Sequence, residues 1–476
     1  MQPHLLAAIL SSAVLLGCAA GPDPSAAPPP VAPSWYAPVP RDGGLASLAT
    51  WWSQFDDPML VRLVGAAEEA SPSIASAAAR IAEARASRVA AGAALLPSLD
   101  ARAGVSRARQ DVSIPSLTSE SIGLQASWEL DVFGRNRAAR DGAAARESGA
   151  TASWHDARVV VAAETANQYL DLRACEARLA QARLDANSRG ETARLTELSM
   201  QSGFESRSNA ALTRASSAQA LVVVRQQAEQ CEQSLKALVA LTALAEPALR
   251  AELAAATARV PMPASLAVAS VPAAALAQRP DVHARGRDVV AASFDIAEAR
   301  AEQWPRITLA GSVGLTRVEL AGTRFSGTTW SLGPVAVSLP VFDAGARRAN
   351  VDAARARYVE ATSVYASTLR NAIREVEISL VTLQGTADRA ADAQTAADNF
   401  EISYRATEAR YKSGFGTLFE LEDARRSALV AQNTLIDLRR ERVAAWIALY
   451  RALGGGWTED AEARTASSAS PVTATP

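Results

Sequence analysis

The sequence predicts a protein of mixed α and β structure, built as two copies of one unit in which short strands precede very long helical hairpins. Three observations predict it. Motif pairs recur at an offset of about 210 residues. Residues 116–246 and 341–470 contain no proline. Four segments of about ten residues alternate apolar with polar side chains.

The repeat is read from its anchors. Leu96-Pro97 is echoed by Trp304-Pro305, and Trp128-Glu129-Leu130-Asp131-Val132-Phe133-Gly134-Arg135 by Ser338-Leu339-Pro340-Val341-Phe342-Asp343-Ala344-Gly345. Ser202-Gly203-Phe204 returns as Ser413-Gly414-Phe415, and Lys236-Ala237-Leu238 returns within Trp446-Ile447-Ala448-Leu449. The first copy covers 45–246 and the second 273–457. A proline-bearing join, 247–272, lies between them (Pro247, Pro261, Pro263, Pro272).

Each copy then divides in order. Short helices lead into strands at about 98–108 and 119–130, and at about 306–316 and 328–339. In the first strand Leu99, Ala101, Ala103 and Val105 share a face. Ile122, Leu124, Ala126, Trp128 and Leu130 do so in the second, and Ile307, Leu309, Val313 and Leu315 in the third. Pro334 breaks the phase of the fourth, which marks a bulge or an edge. After the strands the chain can stay helical, because proline would cost a helix interior about 3 kcal/mol and none is present. A helix from about Arg135 to Met200 would run about 100 Å. Three seams follow 3/4 spacing: Val161, Thr165, Gln168, Leu172, Cys175, Leu179, Ala182; then Leu221, Val224, Ala228, Cys231, Leu235, Leu238; then Leu421, Ala424, Ala428, Ala431, Leu435, Leu438. Such seams pack as coiled coils. Hairpin turns fall near Gly203 and Gly414, where glycine supplies the backbone freedom of a tight reversal.

Composition excludes several functions. With 48 basic and 50 acidic residues the net charge is -2, so no basic surface for nucleic acid is expected. Hydrophobic residues are 49% but aromatics only 5%, which favours long helices with thin seams over a bulky core. Three cysteines and three histidines leave too few ligands for a zinc cluster, so no metal site is expected. Phosphate-loop, dinucleotide, zinc-protease and nucleophile-elbow motifs are all missing. No catalytic centre and no soluble cofactor are expected.

The N-terminus reads as an address. Residues 1–17 form a signal peptide with an apolar run from Leu5 to Leu16, too short to span a bilayer. Leu15-Leu16-Gly17-Cys18 resembles a bacterial lipobox. Cys18 would then carry a diacylglycerol thioether and an N-acyl chain, followed by a tether over 18–44. The alternative is an ordinary secretory signal with an incidental cysteine. The tail 458–476, rich in Ala, Ser and Thr, is expected to be disordered.

Strands near ten residues suit a membrane β-barrel, and equally a half-buried soluble sheet. Four strands cannot close a barrel, and lipid tolerates no unpaired edge. If they span, several chains must each contribute four.

On these residues the chain resembles the TolC-like outer membrane efflux proteins, in the lipoprotein branch that includes OprM and NodT. The resemblance rests on Trp51-Trp52, Phe55-Asp56-Asp57-Pro58, Leu96-Pro97, the Trp128–Arg135 stretch, Arg279-Pro280-Asp281-Val282, the Leu339–Gly345 stretch and Tyr411-Lys412-Ser413-Gly414, and spans roughly 45–457. It implies a homotrimer whose strands form a twelve-stranded barrel in the outer membrane, above a periplasmic α-helical barrel. It implies the exit duct of a tripartite efflux pump, docking a periplasmic membrane-fusion adaptor and an inner membrane transporter, of the RND type. The cargo class would be drugs or other small toxic compounds. It also implies a periplasmic gate at the helix tips. Glu420 and Asp423 match inward-facing acids of the gate, Phe419 an apolar constriction and Tyr411 a tyrosine of the closed-state lock. The lock's arginine position is Gly416 here, with Arg410, Lys412 or Arg207 as substitutes. Read without the resemblance, Glu420 and Asp423 are acids that complement a helix N-terminus. Two other functions stay open: a type I protein secretion duct, and a periplasmic coiled-coil spacer without a pore.

Cys175 lies 28 residues before Gly203 and Cys231 lies 28 after. In an antiparallel hairpin turning at Gly203 they fall at one height, and the periplasm is oxidising. A Cys175–Cys231 disulfide is expected; two free thiols packed as small residues are the alternative.

Overall fold

The computed structural model describes residues 35–37, 51–109, 116–263, 276–320 and 322–457. The signal segment, Cys18, most of the tether and the tail after Trp457 lie outside the described residues. The elements run α1 (Pro58–Ala70), α2 (Pro72–Ala93), β1 (Ser98–Ala108), β2 (Leu117–Leu130), α3 (Arg135–Gln201), α4 (Arg207–Thr242), α5 (Glu246–Leu253), α6 (Pro280–Ala301), β3 (Arg306–Leu320), β4 (Thr323–Ser338), α7 (Ala346–Lys412) and α8 (Leu418–Ala452). The internal repeat is visible in lengths: α3 and α7 have 67 residues each, and α4 and α8 have 36 and 35. The join is not bare linker, since α5 lies within it and buries Leu249 and Leu253. Among the described residues no helix is long and apolar enough to cross a membrane.

The described chain divides into two units. One holds 77–153 and 283–368 and contains the sheet; the other holds the remaining residues, including both hairpin turns. The sheet is antiparallel throughout, in the order β1-β2-β3-β4. β3 and β4 extend beyond the alternating sequence to form a tight hairpin through Gly322, whose φ is +83°. Pro334 falls where the β3–β4 register shifts between Leu309 and Gly311. A proline has no N–H for the ladder, so the irregularity sits where the ladder can least use that residue.

In the helical unit the core gathers at the middle of α3 and α7 and at the C-terminal ends of α4 and α8. Trp51 is fully buried and stacks on Tyr450 at 4.8 Å, with Phe55 edge-on at 4.9 Å. Asp57 caps α1, accepting from Met59 N at 3.0 Å, and its other oxygen takes the Tyr169 hydroxyl at 2.6 Å. Trp51 and Trp52 are therefore packing anchors for the N-terminal helices. Most seam residues are buried, but Leu221 is 48% exposed, and its neighbours Val222 and Val223 are exposed too. That seam is fully buried only from Cys231 toward Leu238 within one chain, with Val224 and Ala228 half-buried against the core. Arg279 of the Arg-Pro-Asp-Val motif is buried. It pairs with Asp281 at 2.7 Å and Glu375 at 2.9 Å, and donates to Ala452 O at 3.0 Å at the end of α8. The buried charge is thus matched and one orphan helix carbonyl is satisfied.

Candidate functional site

The sheet has two chemically different faces, set by register. On one face Leu99, Ala126, Gly311 and Leu332 form a row; Ala101, Leu124, Val313 and Trp330 form the next; Ala103, Ile122, Leu315 and Thr328 a third. Toward the helix-joined end, Trp128, Leu309 and Val335, then Leu130, Ile307 and Val337, continue it. The other face carries Asp100, Gln125, Ser312 and Ser331, then Arg102, Gly123, Gly314 and Thr329, then Gly104, Ser121, Thr316 and Gly327. Its hydroxyls pair across strands, Ser312 with Ser331 at 2.9 Å and Thr316 with Thr329 at 3.1 Å.

The apolar face is exposed in the single chain: Leu99 67%, Ile122 62%, Trp330 77%, Leu332 81%. A soluble sheet would cover such a face, so it must meet lipid or another chain. Five apolar rows span about 27 Å along the strands at about 3.4 Å per residue, or about 21 Å along a membrane normal at a tilt near 40°. That approaches the height of about 25 Å typical of a barrel's lipid-facing band. Beyond the Ala103, Ile122, Leu315 and Thr328 row, at the end away from the helices, the same face turns charged, with Arg317–Glu120 at 3.4 Å and Arg324–Glu319 at 2.9 Å. Among the described residues β1 and β4 are the open edges.

The second site is the pair of hairpin turns. The two copies make the same turn. Phe204 N donates to Ser199 O at 2.9 Å and Phe415 N to Arg410 O at 2.9 Å; Gly203 and Gly414 have φ of +79° and +80°. This is the six-residue closure of a helix on a left-handed glycine. Ser206 then caps α4, and Thr417 caps α8 in a capping box with Glu420. Thr417 N donates to the Glu420 carboxylate at 3.0 Å, and that backbone hydrogen bond holds the carboxyl below its usual range. Glu420 is thus engaged locally at the helix start. Asp423 is exposed and lies one turn further along α8. Phe419 is 79% exposed, and the phenylalanines that follow the two turn glycines, Phe204 and Phe415, are 87% and 80% exposed. Tyr411 reaches across from α7 to α3, its hydroxyl 3.1 Å from that of Thr196. Arg410 donates to Phe415 O at 3.2 Å and Lys412 pairs with Glu408 at 3.2 Å, so both are held within the second hairpin.

Sequence reasoning missed a buried polar tie between the hairpins. Arg425 of α8 is buried. It bonds Glu422 at 2.5 Å and donates to the Ser188 and Thr192 hydroxyls at 3.1 and 3.0 Å. Its guanidinium also lies 5.7 Å from the ring centre of Tyr404 on α7. Glu422 is shared: Arg189 of α3 bonds it, and Ser216 of α4 donates to it at 3.2 Å. Arg189 keeps a further partner in Asp185 at 2.8 Å. One network therefore joins all four long helices. Its signal was the opposite charges at helical spacing, Asp185 with Arg189 and Glu422 with Arg425, which read equally as solvated surface pairs.

In the first hairpin the structure brings Cys175 and Cys231 together as a disulfide, with Cα atoms 5.5 Å apart. It links the seam faces of α3 and α4. Among the described residues no cluster of His, Cys, Asp and Glu could hold a metal ion.

With both sites in place, comparison decides the family. The chain matches the description "outer membrane efflux protein" over residues 63–244 and 271–455. It belongs to that family. As an outer membrane efflux protein it acts as a channel of the outer membrane and is not an enzyme. It is 30% identical to the pyoverdine export outer membrane protein OpmQ of Pseudomonas putida, over 97% of this chain and 99% of that one. It is 30% identical to the outer membrane protein OprJ of Pseudomonas aeruginosa, over 95% and 96%. Its fold matches that of the outer-membrane channel OprN with a TM-score of 0.82 and 25% identity, over 92% of this chain and all of the other. The efflux protein thus has the TolC-like fold, mostly helical with one small antiparallel sheet.

Proposed function

We propose that this protein is the outer membrane duct of a tripartite efflux pump, a passive homotrimeric exit for small toxic compounds, gated at its periplasmic helix tips. One observation carries the reading. The described residues hold an open four-stranded sheet with an apolar face, a polar face and, among those residues, two unpaired edges. Such a sheet cannot sit in hydrocarbon alone, because each unpaired backbone group there costs several kcal/mol. Three copies joined edge to edge close twelve strands, with apolar side chains toward lipid and hydroxyls toward water. The spacer reading leaves that two-faced register without a purpose.

The gate rests on Asp423 and Phe419 projecting from the start of α8, with Tyr411 and the Arg425–Glu422 network holding the second hairpin to the first. Threefold symmetry would gather the Asp423 carboxylates into a ring that favours cations. A periplasmic adaptor and an RND-type inner membrane transporter are the partners, and the transporter selects the cargo. Pyoverdine export belongs to OpmQ; a wide pore lined by hydroxyls has little means to choose such a cargo itself. A lipid on Cys18 would add a second hold on the membrane.

The test is the mass of the detergent-solubilised complex together with its conductance in liposomes. A trimer that carries current is expected. A monomer, or a trimer that carries none, would overturn the duct. Susceptibility of a deletion strain to antibiotics and detergents then separates small-molecule efflux from protein secretion.

A further inference from the structure

At the helix-joined end of the sheet, α6 and α7 enclose an open cavity of about 780 Å³. Arg300, Arg347, Arg348 and Arg355 line it, with Trp304 and Pro340 at its wall. That volume is in the usual range of small-ligand sites, about 300–1,000 Å³. Two of the arginines are matched: Arg347 bonds Asp343 at 3.0 Å and Arg355 bonds Asp352 at 3.1 Å. Arg300 and Arg348 have no carboxylate partner among the described residues. The cavity therefore carries about two uncompensated positive charges.

The first copy handles the same position differently. Helices α3 and α7 each have an arginine at their third residue, Arg137 and Arg348. In the first copy Asp131 caps the helix and pairs with Arg137 at 3.2 Å. In the second, Asp343 caps the helix but pairs with the second residue, Arg347, and Pro340 stands in the strand-to-helix segment that holds Asp131 in the first copy. Arg348 is left over.

The rim is apolar. Val341 and Phe342 are 90% and 89% exposed, Leu339 is 54% exposed, and Trp304 stacks on Phe133 at 5.5 Å while remaining 56% exposed. These residues continue the apolar face of the sheet past its last row, Leu130, Ile307 and Val337. A basic cavity beside an amphipathic tryptophan, at the edge of a lipid-facing belt, is chemically matched to an anionic lipid head group.

We infer that this cavity binds the phosphate of an anionic glycerophospholipid from the periplasmic leaflet of the outer membrane. The Arg300 and Arg348 guanidiniums take the phosphodiester oxygens. Trp304 sits at the level of the glycerol, and Val341 and Phe342 lie along the acyl chains. One such lipid per subunit fixes the depth of the barrel. The inference rests on the membrane placement of the sheet and not on the gate.

The test uses the full-length complex in detergent, titrated with dioleoyl phosphatidylglycerol or dioleoyl phosphatidylcholine and read by native mass spectrometry. One tightly held phosphatidylglycerol per subunit is expected, with no comparable phosphatidylcholine. Arg300→Gln with Arg348→Gln should weaken phosphatidylglycerol binding about 25-fold, at about fivefold per arginine. Equal retention by the variant, or no preference for the anionic lipid, would overturn the inference. So would dissociation of the variant's subunits in phosphatidylcholine alone, because the arginines would then serve a contact between chains. Displacement of the lipid by inorganic phosphate at equal concentration would overturn the lipid source. Single-channel current from the same samples reports separately on the duct.

Discussion

Replacing Glu422 by Gln removes one carboxylate from a site where two guanidiniums converge. Arg425 is 3% exposed, and Glu422 is its ionic partner at 2.5 Å; Arg189, 16% exposed at its side chain, is bonded to the same carboxylate. Stripping the partner from a buried ion pair costs about 3–5 kcal/mol. Here the loss is smaller, because Arg189 keeps Asp185 and Arg425 keeps the Ser188 and Thr192 hydroxyls. About 2–3 kcal/mol is expected, weakening the contact that joins α3, α4, α7 and α8. If that contact favours the closed tip, the open population rises about 30- to 150-fold. The assays are single-channel recording in planar bilayers and hydrogen exchange over residues 185–196 and 418–428. Longer or more frequent openings and faster exchange in both segments are expected. Unchanged currents with unchanged exchange would refute the reasoning, and faster exchange alone would show that the network stabilises the hairpins without restraining the pore.

The remaining predictions are independent of that network. Converting Cys175 and Cys231 together to Ala should lower the unfolding stability of the first hairpin by about 4 kcal/mol, for a crosslink spanning 56 positions; an unchanged denaturation midpoint would contradict it. Asp423→Ala should raise conductance or alter block by divalent cations, whereas Glu420→Ala should mainly cost the capping box, about 1 kcal/mol; single-channel behaviour identical to wild type in the Asp423 variant would remove it from the gate. Burial, with help from the Arg158 charge, pushes the His155 imidazole down to about 4 from 6.5. The fold therefore holds the neutral ring, stability is full above about pH 6.5, and it is lost as pH falls toward 4 because the unfolded chain takes the proton first. His155 is only partly buried, so solvent screening leaves an effect of about 1 kcal/mol; a His155→Asn variant with the same acid dependence as wild type would rule it out.

The sequence by itself determined the elements and their repetition. Proline-free spans, two glycine turns and alternating strands are local signals, and each follows from backbone sterics or side-chain period alone. The two faces of the sheet were legible in the first three strands, since alternation survives any pairing partner, and not in the fourth, where Pro334 breaks the phase. Register across strands was not legible. Only the tertiary structure shows that Ala101, Leu124, Val313 and Trp330 share one row while Arg102, Gly123, Gly314 and Thr329 share the opposite one. The same limit hid the Arg425 network. Its charges stand at helical spacings that fit a wet surface equally well, and only packing decides which guanidinium loses its water and must find a carboxylate on another helix. Arg348 is the converse case: its twin in the first copy has a partner, and three-dimensional geometry alone hands Asp343 to the neighbouring arginine instead.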